Sequence, residues 1–189
     1  MHATRATLIV LATGAVAAGG VYTPGPGSYN SDRDPSTIVR IHTGVGSVRF
    51  QQPLGRIRVS SFGSIRSERR IPKFAKGMRW IVRNFGAISV VARTSNPRPV
   101  VAFILRSPAY RTPLGFGIGD TMRQTRISFG VGRQLVSHGK TLPVYQFRRA
   151  GTRILVRFDA RSKSRARVTA WAIVRDPQLS LVREVLRQR

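Results

Sequence analysis

The chain has no cysteine. That excludes disulfides, thiolate metal sites, a cysteine nucleophile and a lipid-modified N-terminal cysteine. It does not argue against export. Acidic residues are scarce: Asp and Glu total 7 against 33 Lys and Arg, a formal net charge of +26. Lysine is scarce too, with Lys73, Lys76, Lys140 and Lys163 making up the set, so arginine carries the charge. Beyond the N-terminus no uninterrupted apolar run approaches the length needed to cross a bilayer.

The same scarcity limits chemistry. Asp32 and Asp34 lie in a turn-rich stretch, Asp120 reads as a helix cap and Asp176, before Pro177, as a second cap. Glu184 has Arg183 and Arg187 as neighbours to pair with. Glu68 and Asp159 remain, without the spacing of a catalytic pair. His42 and His138 stand 96 residues apart with no acid nearby, which makes no recognisable metal site. No Gly-x-Ser-x-Gly elbow is present. The reading is therefore a protein without catalytic residues, cofactor or metal.

What the chain does have is enough apolar character for a core, 41% of residues. A field as positive as this one attracts anions: acidic proteins, anionic cell-wall polymers, lipid heads or nucleic acid. Residues 1–18 have the order of a secretory signal. Arg5 precedes the apolar run Leu8 to Val16, and small residues follow up to Ala18. Residues 19–37 are rich in Pro, Gly, Ser, Asn and Asp and predict a flexible spacer. The expected location is secreted or cell-envelope associated, with no transmembrane segment in the mature chain.

From residue 38 onward the sequence resembles itself at an offset of 67 to 68 residues. Ser60 to Gly63 matches Ile127 to Gly130, Ala92-Arg93 matches Ala160-Arg161, and Val100 to Phe103 matches Val168 to Trp171. Three matches in register predict a duplication, residues 38–107 and 108–175. In the second half Asp120-Thr121 starts a helix over Met122 to Phe129 that Gly130 ends. Three strands follow, Val144 to Arg148, Thr152 to Phe158 and Val168 to Val174. The middle strand sets Ile154, Val156 and Phe158 against Arg153, Leu155 and Arg157. The first half reads likewise: a helix over Leu54 to Phe62, weakened by Gly55, a long basic stretch Ile65 to Lys76, then strands Gly77 to Val82, Ala87 to Arg93 and Val100 to Arg106. The expected fold class is α+β: two similar helix-plus-antiparallel-meander repeats, helices packed on one face of the sheet. Residues 176–189 predict a short C-terminal helix whose stripe of Leu179, Val182 and Leu186 docks on the domain's own core.

The segment Gly117 to Gly130 (GIGDTMRQTRISFG) resembles the opening of repeats in β-lactamase-inhibitor-protein-like domains and the related outer-membrane-assembly lipoprotein fold. Gly119, Thr121, Thr125, Phe129 and Gly130 stand at the pattern's places. The linker Arg106 to Gly115 resembles the join between two such repeats in exported actinobacterial proteins. There are departures: Thr125 stands where an aliphatic residue is usual, and Gln51 stands where the first half would have its glycine. The resemblance implies a helix-backed sheet that offers a surface to a protein partner in the envelope or outside the cell. It carries over no individual binding residue.

The candidate anion- and partner-binding residues are Arg66, Arg69, Arg70, Arg149, Arg153, Arg157, Arg161, Arg165 and Arg167. The expected function is a non-enzymatic binding module presenting this basic surface to an acidic protein or anionic polymer. The alternative is a nucleic-acid-binding protein, with Trp80, Phe85, Tyr145 and Phe147 as stacking candidates beside the arginines.

Overall fold

The apolar residues that follow the spacer are interrupted every few positions by glycine or polar residues, which allows only short strands. In the computed structural model, residues 34–71, 79–137, 140–159 and 165–186 are described. Pro35–Thr37 form a 3-10 turn capped by the Asp34 carboxylate. Three two-residue strands follow, β1 (Val39–Arg40), β2 (Gly44–Val45) and β3 (Val48–Arg49), joined in a small antiparallel sheet. Val39, Val45 and Val48 are fully buried against the rest of the core.

The main body is one antiparallel sheet of eight strands. After the single-turn helix α1 (Val59–Phe62) come β4 (Ser67–Ile71), β5 (Trp80–Asn84), β6 (Ile88–Arg93) and β7 (Val100–Leu105). After α2 (Met122–Phe129) come β8 (Arg133–Ser137), β9 (Lys140–Arg149), β10 (Thr152–Phe158) and β11 (Val168–Val174). The spatial order is β4-β5-β6-β7-β11-β10-β9-β8, so each half contributes a meander and the two last strands meet at the centre. In that central pair Trp171 faces Leu105, Ala172 faces Ile104 and Ile173 faces Phe103.

The fold is α+β. Strand β7 is apolar and buried throughout, and β6 and β11 nearly so, because both faces of the sheet are covered. One face carries Phe103, Phe147, Ile154, Val156, Phe158 and Trp171, under α1, α2 and the small sheet. The other carries Val82, Val101, Ile104, Leu155 and Ala172, under Leu179, Leu181 and Val185 of the C-terminal segment with its helix α3 (Val182–Leu186). The tail therefore docks on the face opposite α1 and α2, through Leu179, Leu181 and Val185, while Val182 and Leu186 of the expected stripe are half-buried at its side.

Local chemistry explains the cleaner second half. Thr121 caps α2 in a capping box with Gln124, and Gly130 ends the helix at φ 80°. Thr125 is fully buried, and its hydroxyl donates to the Thr121 carbonyl at 2.9 Å, which lets a polar residue fill an aliphatic position. Phe116 packs edge-on between Phe129 at 4.6 Å and Trp171 at 5.1 Å, tying the helix to β11.

Three expectations needed correction. The helix expected over Leu54 to Phe62 is a 3-10 turn, Leu54–Arg56, then α1, because Ile57 and Arg58 are extended between them. Asp120 is not the helix cap; it accepts from the Gly117 amide and pairs with Arg111, holding the loop before α2. Each half gives the main sheet four strands rather than three. The extra ones, β4 and β8, are the polar edges of the sheet, where the alternation that reveals a half-buried strand is weakest.

The two halves share backbone detail. The Gln51 amide donates to the Val100 carbonyl and the Val100 amide to the Gln52 carbonyl. Gly119, Val168 and Asp120 make the same pair of bonds 68 residues later. Gln51 has φ 66° and Gly119 φ 92°, while Gly63 and Gly130 end their helices at φ 82° and 80°.

Candidate anion-binding surface

The few carboxylates are spent inside the fold. Glu68 pairs with Arg83 at 2.7 Å across β4 and β5, Asp120 with Arg111 at 3.3 Å, Asp176 with Arg93 at 2.9 Å and Glu184 with Arg69. Asp176 is buried and also accepts from Trp80 Nε1 at 3.1 Å. Burial works to raise its pKa, but hydrogen bonds from Arg93, Trp80 and the Gln178 amide bring it below the usual carboxylate value. Asp34, fully exposed, is lowered by hydrogen bonds from the Ser36 side chain and amide.

The candidate arginines divide into two groups. Arg69, Arg153 and Arg157 point to the face that α3 covers, and they hold the tail. Arg153 donates to the Asp176 and Leu179 carbonyls, the latter at 2.7 Å. Arg157 donates to the Leu186 carbonyl at 3.1 Å, and Arg69 pairs with Glu184. Arg106, outside the candidate set, adds a bond to the Glu184 carbonyl at 2.8 Å. Burial lowers the Arg153 pKa first, the nearby Arg148 charge lowers it further, and Asp176 opposes both. Arg157 meets the last carbonyl of α3, where a cation is favoured, whereas the carbonyls that Arg153 holds lie before the helix begins.

Arg66, Arg70, Arg149, Arg165 and Arg167 are exposed, whereas Arg161 lies outside the described residues. Arg167 shares a shallow depression with Thr121, Arg123, Gln124 and Ile127. The sequence reading omitted Arg123 and Arg126, although both sit on the outward side of α2, opposite buried Thr125 and Phe129. Helical spacing from those two core positions would have found them. Arg123 and Arg126 on α2, Arg149 bonded to the Ser128 carbonyl and Arg167 in the depression form an exposed basic surface at α2. His42 is exposed, His138 lies outside the described residues, and among the described residues no group of His, Asp and Glu could hold a metal. No described helix is long and apolar enough to cross a membrane.

The stacking candidates do not line this surface. Trp80, Phe85 and Phe147 are buried, and half-buried Tyr145 packs edge-on to Phe158 at 5.6 Å. Their alternation along the strands marks core, and among the described residues no open aromatic platform stands beside the arginines.

Comparison with known proteins identifies no family: no family model matches, and no curated protein matches. Among solved structures the chain is similar to the uncharacterized protein yfeY from Escherichia coli, at 15% identity and a TM-score of 0.45, over 71% of this chain and 97% of yfeY. A cysteine-rich secretory protein (SAV1118) from Staphylococcus aureus aligns at 15% identity and a TM-score of 0.35, over 61% of this chain and 41% of its own. Both scores are low, and neither likeness bears on function.

Proposed function

We propose that this chain is an exported, non-enzymatic binding module built from two copies of one helix-plus-meander unit, and that it presents arginines to an acidic protein or anionic polymer of the cell envelope. The observation that carries the binding reading is the disposition of charge. Four of the seven carboxylates are consumed by internal pairs, while Arg123, Arg126, Arg149 and Arg167 stand exposed around α2. An uncompensated field of one sign raises the local concentration of the opposite one.

Support for the duplication is geometric. An offset of 68 residues, read from sequence, carries Ile104 onto Ala172, and these two face each other in the central strand pair. The same offset carries the Phe103–Ile173 pair onto Trp171–Leu105, also a pair. A twofold axis relating the halves would pass between Ile104 and Ala172, and the matched hydrogen bonds of Gln51 and Gly119 agree with it.

The test is binding of the full chain to an acidic polymer, with duplex DNA as competitor, over a salt series. A specific partner surface gives saturable binding that Arg123→Gln with Arg126→Gln and Arg167→Gln weakens selectively. A charge-only response, equal for every polyanion and unaltered by where the arginines are removed, overturns the reading. Cell fractionation with N-terminal sequencing tests export: recovery outside the cytoplasm with a start near residue 19 supports it, and an intact Met1 in the cytoplasm overturns it.

A further inference from the structure

We propose that a small cavity between β1, the 112–114 loop and α2 is a binding site for a single-chain anionic amphiphile, a fatty-acid carboxylate, with the alkyl chain inside and the carboxylate at the Arg40–Arg149 rim. The cavity measures about 290 Å³. That is the low end of small-molecule sites, roughly 300–1,000 Å³. It holds one short chain and is too small for a two-tailed lipid. Its walls include Val39, Ile41 and Phe129, all buried, with Leu114 at the mouth and 49% exposed. An open apolar hollow of this kind favours a hydrocarbon guest, because both surfaces leave water when it fills.

The rim supplies the complementary charge. Arg40, His42 and Arg149 line the cavity and are exposed, and none of its lining residues is acidic. Arg149 Nη1 donates to the Ser128 carbonyl at 2.8 Å, which fixes the guanidinium at the edge and leaves other N–H groups for a ligand. A planar carboxylate matches that fork, and a neutral head does not. The site shares no lining residue with the depression on α2 and only Arg149 with the wider basic surface, so its test falls on Arg40 and Leu114, which that surface does not use.

The test is calorimetric titration of the full chain with decanoate below its micellar concentration. Decanol, acetate and decyltrimethylammonium are the controls for chain, charge and sign. One site should appear for decanoate, about tenfold tighter than for decanol, with no heat from acetate or from the cation. Arg40→Gln should weaken decanoate about tenfold and leave decanol unchanged. Leu114→Glu, at a half-exposed position that should leave the thermal melt unaltered, should abolish both, whereas Ile127→Glu on the outward side of α2 should change neither. Any one of four results overturns the site: no decanoate binding, several weak sites as expected for detergent on a cationic surface, equal affinity for decanol, or indifference to Leu114→Glu.

Discussion

Trp80 and Asp176, 96 residues apart in sequence, meet through a 3.1 Å hydrogen bond from the indole Nε1 to the carboxylate inside the core. Arg93 donates to the same oxygen at 2.9 Å, so one carboxylate ties β5 and β6 to the start of the tail. Replacing Asp176 by Ala leaves a fully buried indole N–H without a partner and strands the Arg93 charge. A loss of about 2–3 kcal/mol is expected, because Arg93 is partly open to solvent and can recover hydration. Urea unfolding of D176A against the parent measures it.

The same carboxylate gives the protein an acid limit. The folded pKa of Asp176 is below that of the unfolded chain, so its stabilisation is fully present above the unfolded value, near 3.8. It is lost as pH falls through the folded value. The chain should therefore lose stability below about pH 4, and Asp176→Asn, which does not titrate, should start less stable but fall less steeply. Denaturation midpoints between pH 2 and 6 decide this.

Arg153 holds the tail rather than a ligand. Arg153→Met should leave polymer binding unaltered at fixed salt while speeding amide hydrogen exchange across Leu179 to Leu186, with a stability loss of about 1–3 kcal/mol, as the Leu179 carbonyl loses its partner and the Asp176 carbonyl keeps only the Leu179 amide. If polymer binding falls instead, the division of arginines into two groups is wrong.

On α2 the expectation is reversed. Arg123→Gln and Arg126→Gln remove exposed charges and should leave the melting temperature within a degree or two, since surface changes of this kind cost about 0.5 kcal/mol or less. Each should lower the slope of log affinity against log salt by about one if that arginine contacts the polyanion. An unchanged slope in both would move the contact elsewhere.

Gln51 has a left-handed backbone, φ 66°. Gln51→Gly removes that strain and should change stability by no more than about 1 kcal/mol, whereas Gln51→Val, β-branched, should cost about 1–2 kcal/mol. Thermal melts of the two variants order them.

Where the chain obeys one periodicity, the sequence reading reached the residue. Met122–Phe129, Thr152–Phe158 and Val168–Val174 have the bounds expected, because caps, alternation and a continuous apolar run each leave a distinct pattern. The edge strands β4 and β8 escape notice because SERRI falls in the long basic stretch Ile65 to Lys76 and neither it nor RQLVS alternates apolar with polar residues. The tail arginines were misread for a related reason. Arg153 and Arg157 alternate with apolar Ile154, Val156 and Phe158 as solvent-facing residues would, and nothing local says that Asp176 to Leu186 will cover them. Glu184 shows the same limit: it pairs with Arg69, on a strand far away in the sequence. Surface membership is a tertiary property, legible only once the second layer is in place.

The seam between β7 and β11 governs how the molecule can be taken apart. Cut after residue 107, the N-terminal piece would end in Val100–Leu105, six buried apolar residues with their outer row of amides and carbonyls unmet. Such a fragment is sticky by construction and can find relief by pairing with a second fragment of its own kind. The intact polypeptide supplies that mate in the same molecule, which makes chain continuity, more than any single contact, its safeguard against aggregation.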